Sequence, residues 1–288
     1  MGGLIGHVVA GTMFILISVW WFIAEVLQRG RRSELSLPAS GRLSHSTRGR
    51  ARFKSTQPVW HPCPSPTLSK IPVEPLMKVI LAVIGVLVEL PFGNSATLFN
   101  ENGDVVADNL PNYGHAMMYG FFGLSGVVDL VMWYNILPLP PKFDYLALSF
   151  AFWMEGLLFS FHLSGRSELD VQVHTILYII VFVTAAVFFL AAISDQLMPF
   201  MGFVKAYLLS LQGTWFIQVG FVLRGPHRWE NTHSNVEFAG IVFAFHALAL
   251  FVLHLTGNTI CYDIRKRQMK EWLLENSASE EADCNLMD

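Results

Sequence analysis

The sequence predicts an all-α, polytopic membrane helix bundle with seven transmembrane helices, and three observations carry that reading. Charged residues make up only 14% of the chain and hydrophobic ones 53%, where an ordinary soluble domain has roughly 25% charged residues. The mean hydropathy is +0.44, and 23 Phe and 8 Trp among 288 residues mean that most of the apolar surface faces something other than water. The apolar residues also fall into runs of the length a bilayer demands, since crossing a hydrocarbon core of about 30 Å takes about 20 mostly apolar residues. The same composition argues against disorder, and a formal charge of −3 provides no basic footprint for nucleic acid.

The first run, 4–27, has no basic stretch ahead of it and arginines after it, so it reads as a retained helix rather than a cleaved signal peptide. The first transmembrane segment is therefore placed at 1–28. Residues 29–76 are rich in Arg, Ser and Pro, end in PCPSPTLSK and lack an apolar period, which predicts a flexible basic cytosolic loop. The second run, 77–93, is the shortest and contains Glu89, leaving six or eight crossings as alternatives to seven. Runs at 114–136, 144–162, 173–194, 200–223 and 237–260 complete a six-helix remainder over 77–262. The acidic stretch 263–288 reads as a disordered cytosolic tail. Cys63, Cys261 and Cys284 are too scattered for a disulfide framework.

Orientation follows from the basic residues, because Lys and Arg in short loops stay on the cytosolic side. With seven crossings, the arginines of 29–52, Lys54, Lys70, Lys78, Lys142, Lys205 and the Arg265–Lys270 group all fall on one side, against only Arg166, Arg224 and Arg228 on the other. The N-terminus is then extracytosolic or luminal and the C-terminus cytosolic.

Ionisable side chains in apolar spans are costly and tend to face the bundle interior, where they mark sites or pathways. On the predicted topology His7, His115, His162 and His174 all lie near the extracytosolic face, with Glu89 at the same end. His246 sits partway into the last span and His254 eight residues deeper. Glu155 precedes His162 by seven residues, two helical turns, so both point the same way. Neutral imidazoles from several helices, with a carboxylate nearby, are the ingredients of a transition-metal site. The alternative is that each histidine is an interfacial or capping residue. Asp129 and Ser125 in the third span, and Gln212, Thr214 and Gln218 in the sixth, line a cavity or form interhelical hydrogen bonds, the latter being the expectation for the glutamines. Gly120, Gly123 and Gly126, with Gly213 and Gly220, are placed for close helix contacts.

Four segments, GHVVAGTMFILISVWW, HAMMYGFFGLSGVVDL, MEGLLFSFHLSGRSELDVQVHTILY and LLSLQGTWFIQVGFVL, resemble the transmembrane protein 45 family, multi-pass membrane proteins defined by a domain of unknown function. The resemblance covers most of 1–262 and weakens in the 29–76 loop and the tail. It implies a seven-helix protein of the Golgi, endosomes or lysosomes, or of the plasma membrane, with no settled activity. It also implies that His7, His115, His162, His174 and His246, with Glu155, are the family's polar positions. The chain departs from the pattern at Ser164 and Gln172, where relatives are expected to carry further histidines.

Three functions follow as expectations. The first is a scaffold or trafficking protein with structural histidines, surrounded by the lipid bilayer and meeting cytosolic protein partners through the 29–76 loop and the tail. The second is a zinc-dependent membrane hydrolase acting on a lipid-like substrate. There His115, His162 and His174 hold the metal, and Glu155 or Asp129 is the base for a zinc-bound water. The third is a carrier of haem or a metal ion that uses axial histidines.

Overall fold

A computed structural model describes residues 3–35, 58–62, 68–90, 97–161, 163 and 165–285. Among these the chain forms seven α-helices: α1 (Leu4–Leu35), α2 (Val73–Glu89), α3 (Leu110–Trp133), α4 (Phe143–Phe161), α5 (Glu168–Ile193), α6 (Met198–Arg224) and α7 (His233–Asn285). The helices after α1 begin one to five residues ahead of their apolar runs. Pro111 starts α3, where its missing N–H costs nothing. Ser167 caps α5 by accepting from the Asp170 N–H, with Glu168 and Asp170 set against the helix dipole. At their far ends α1 and α7 outrun the expected spans, and α7 continues as helix to Asn285, through the stretch expected to be a loose tail.

Among the described residues five segments are long and apolar enough to cross a bilayer: Leu4–Val26, Ala107–Trp133, Glu168–Ile193, Phe200–Arg224 and His233–Gln268. The other two helices are marginal, α2 because it has 17 residues and α4 because its 19 include Asp144 and Glu155.

Side-chain contacts fix the helix directions. Glu89 at the end of α2 meets His115 near the start of α3, and Lys78 near the start of α2 meets Asp129 near the end of α3, so the two are antiparallel. Lys142, just before α4, reaches the Ala191 carbonyl near the end of α5. His7 lies against Gly220, Gly11 against Gly213 and Ser18 against Ala206, so α1 and α6 are also antiparallel. The bundle thus has an amino end, holding the starts of α1, α3 and α5, and a loop end, holding the starts of α2, α4 and α6.

Helix α6 is central and packs on α1, α5 and α7. Its closest neighbour is α1. A Cβ on Gly11 would meet the Gly213 carbonyl oxygen at 2.5 Å, and one on Gly213 would meet the Gly11 oxygen at 2.6 Å. On the α2–α3 seam Gly123 faces the Ala82 methyl and Gly126 faces Val79 and Lys78. Gly120, expected on the same packed face, instead points to open space with nothing within 4 Å. The core between α4, α5 and α6 is aromatic and aliphatic, with Trp215, Phe152, Phe188, Leu177 and Val181 fully buried. The outer surface is a belt of exposed apolar side chains. In α7 only 6% of the most apolar stretch is buried.

Residues 58–62, expected to belong to a flexible loop, are packed into the loop end, with Val59 0% and Trp60 2% exposed.

Gly213→Ala is expected to lower stability in detergent by about 1–3 kcal/mol through overpacking. Gly120→Ala should be neutral, or stabilising by up to about 1 kcal/mol through helix propensity. Thermal unfolding of the two purified variants checks this, and equal midpoints would contradict the proposed α1–α6 contact.

Candidate functional site

At the amino end the first turns of α5 gather polar groups at helical spacing. Arg166 donates to the Asp170 carboxylate at 3.0 Å. His174, one turn further and 7% exposed, places Nδ1 2.7 Å from the Asp170 carboxylate and 2.9 Å from the Asp170 carbonyl. The first turn of α5 is held from the loop before α7, because the Leu169 N–H donates to the Asn231 side-chain oxygen at 2.9 Å.

Helix α1 brings His7 to the same place. Its Nδ1 is 3.0 Å from the Gly3 carbonyl, and its ring meets that of His174 edge-on at 5.9 Å between centroids. His7 can approach because Gly220 of α6 has no side chain there. In the neutral form of either imidazole, an Nδ1–H facing an oxygen acceptor leaves Nε2 as the basic nitrogen. His115 and Asp170 lie within electrostatic reach of His7, and His115 Nδ1 is 3.4 Å from the Glu89 carboxylate. An open recess of about 560 Å³ reaches this end, lined in part by Asp170, Arg224, Arg228 and Trp229.

Deeper in the bundle Glu155 of α4 is 3% exposed and Gln212 of α6 is 0% exposed. The Gln212 amide donates to both Glu155 oxygens, each at 3.1 Å. One turn along α6 the Trp215 indole N–H donates to the Val173 carbonyl at 3.0 Å, and His246 of α7 meets the Trp215 ring edge-on at 5.7 Å. A hydrogen bond of this kind contributes about 0.6 kcal/mol on average in a membrane protein. Its larger effect is to fix which faces of α4, α5, α6 and α7 meet.

The expected site residues do not all come together. His7 and His174 are neighbours, and His115 pairs with Glu89. His246 lies against Trp215. Asp129 is elsewhere, at the loop end, where its buried carboxylate accepts from Lys78 at 2.6 Å. It is fourteen residues along α3 from His115, about 21 Å at 1.5 Å per residue. His162 and Ser164 lie outside the described residues. Among the described residues no three of His, Cys, Asp and Glu are placed to hold a metal ion.

Asp170 was not singled out from the sequence, although its position four residues before His174 is the signal that finds it. Lys78 and Lys205 counted there only as cytosolic charges. In the structure Lys205 is 2% exposed and donates to the Val59 carbonyl at 2.8 Å.

Residues 141–257 match a family of unknown function, DUF716. The chain is also similar to transmembrane epididymal protein 1A of Mus musculus, at 27% identity over 177 residues. That match covers 57% of this chain and 58% of the relative, so it spans under two thirds of either protein. Together with the five long apolar helices, these likenesses support an integral, multi-pass membrane protein.

Gln212→Leu strands a buried carboxyl without its donor and is expected to destabilise the protein by about 1–3 kcal/mol. Glu155→Gln should cost less, since an amide can still pair with an amide. Adding Glu155→Leu to Gln212→Leu should recover part of the loss. Unfolding measurements on the single and double variants report the coupling, and strict additivity would refute it.

Proposed function

We propose that the chain is a seven-span membrane protein, N-terminus extracytosolic or luminal and C-terminus cytosolic, with a scaffold or trafficking-type role in endomembranes or at the plasma membrane. The observation that carries this reading is how the interior polar groups are used. Glu155, one of the two residues expected as base, has both oxygens engaged by Gln212. Asp129 has one oxygen, Oδ2, engaged by Lys78. Polar groups joined across helices fasten a bundle, and a fold by itself confers no activity. The orientation is supported by Lys70, Lys142 and Lys205, which belong to the loop end, where the positive-inside rule places the cytosol. The Golgi, endosome or lysosome assignment rests on the resemblance to the transmembrane protein 45 family.

A second reading, a metal site at the amino end serving a zinc hydrolase or a carrier of haem or metal ions, is favoured by one specific observation. His7 and His174 each hold Nδ1 against an oxygen acceptor, the arrangement that orients a metal-ligating imidazole through Nε2. His162, one of the metal ligands expected from the sequence, would be a third donor.

If the loop and tail carry the partners, deleting residues 36–57 together with 272–288 should redistribute the tagged chain among compartments while leaving a single monodisperse species. An unchanged distribution would defeat the trafficking reading. Elemental analysis of purified protein separates the second reading from the first. Substoichiometric zinc and iron, unaffected by His174→Ala, is the outcome expected for structural histidines. Stoichiometric metal lost in that variant would reverse the preference.

A further inference from the structure

The five residues Pro58–Val59–Trp60–His61–Pro62 are gripped at the loop end in an unusual way: charged side chains from three helices bond to their backbone. The Val59 N–H donates to the Asp144 carboxylate of α4 at 2.7 Å, and the Val59 carbonyl accepts from the Lys205 ammonium of α6 at 2.8 Å. The His61 N–H donates to the Glu74 carboxylate of α2 at 3.1 Å. Asp144 is 3% and Lys205 2% exposed, so each is a buried charge that needs a partner. Between them lies the peptide unit of Val59, offering a donor to the carboxylate and an acceptor to the ammonium.

Two of the three gripping groups are themselves held in place. Lys205 sits over the Trp21 ring at 4.6 Å, and Glu74 accepts from the Trp20 and Trp21 indoles at 2.9 and 2.7 Å. Side-chain selectivity comes from the pockets that bury Val59 and Trp60, the latter edge-on to Trp133 of α3 at 5.2 Å. A cleft that reads backbone with pre-positioned groups, and side chains with two apolar pockets, has the features of a peptide receptor. Flanking prolines restrict the free peptide and lower the entropy lost on binding.

We propose that the loop end of the bundle is a peptide-recognition cleft filled in cis by residues 58–62, and that it accepts in exchange a partner segment with an aliphatic–tryptophan pair between prolines. Because the cis segment belongs to the same chain as the cleft, its binding is intramolecular and its effective concentration is high. A partner therefore binds only when the cis segment is weakened or displaced, which makes the segment an autoinhibitory plug. That the cleft opens to the cytosol rests on the orientation proposed above. Binding in detergent does not, so the two can fail separately.

The test uses the full-length chain in detergent micelles with a fluorescent peptide of residues 57–62 and a scrambled control, read by anisotropy. Trp60→Ala, which weakens the plug, should bind the peptide at least tenfold more tightly than the wild type, and adding Lys205→Met should abolish the gain. Should Trp60→Ala not give a monodisperse protein, Val59→Ala reads the same competition. The proposal is overturned if a well-folded plug variant shows no saturable binding, if wild type and variant bind equally, or if the scrambled peptide matches the native one.

Discussion

The contact between the backbones of α1 and α6 is the constraint from which the rest of the arrangement follows. Gly11 and Gly213 face each other so closely that neither position has room for a methyl group, and this sets the separation and register of the two helices over their whole length. Toward the amino end that register sets His7 against Gly220 and carries its ring to His174. Toward the loop end it brings Ser18 within 2.6 Å of the Ala206 carbonyl and Trp21 beneath the Lys205 ammonium. In lipid, apolar side chains gain little by leaving one hydrocarbon environment for another, so close packing of small residues supplies much of the association energy. A glycine seam at the centre of the bundle meets that requirement.

The polar interior is the counterpart of that packing. Lone ionisable groups in a low-dielectric interior are costly, and the chain distributes them in pairs at three levels. His174 with Asp170 and His115 with Glu89 lie at the amino end, Glu155 with Gln212 is deeper, and Asp129 with Lys78 is at the loop end. Each pair after the first joins different helices, so satisfying the polar group and selecting the neighbour are one event. The same economy explains the docking of residues 58–62. Asp144 and Lys205 find partners in a peptide unit delivered by a connection, and the connection is drawn into the fold as a result.

Helix positions were legible in the sequence because lipid imposes a long apolar run on each, and every run has its helix. The starts were less legible, since Pro111, Ser167 and Asp170 are polar or cyclic residues that an apolar template passes over. Glycine roles were partly legible: Gly213, Gly220, Gly123 and Gly126 face neighbours, but Gly120 does not, because three glycines spaced by three drift around a helix with 3.6 residues per turn. Interhelical bonding by Gln212 was the natural expectation for an amide in lipid. Its partner, 57 residues away, has no sequence signature. Asp129 was grouped with the histidines by chemistry, whereas antiparallel pairing of α2 and α3 puts it level with Lys78. The packed segment at 58–62 is too short to show a period, and prolines normally mark a loop.

Helix α7 shows how far the surrounding lipid belongs to this structure. Its hydrogen bonds run to α6, where Tyr207 donates to the Ala247 carbonyl at 3.1 Å and Ser210 lies 3.5 Å from His254, while ring contacts join His246 to Trp215 of α6 and His254 to Phe22 of α1. Opposite those contacts Phe245, Leu248, Val252 and Leu255 are more than half exposed. In water so broad an apolar surface on one lightly held helix would drive aggregation. A helix that is apolar nearly all round is stable where its outer face meets hydrocarbon. The protein contacts then have only to choose an azimuth, which edge-on ring contacts and single hydrogen bonds of modest strength can do. The bilayer is thus the missing layer against which α7 packs, and it is why a helix with so little protein contact holds His246 steady beside Trp215.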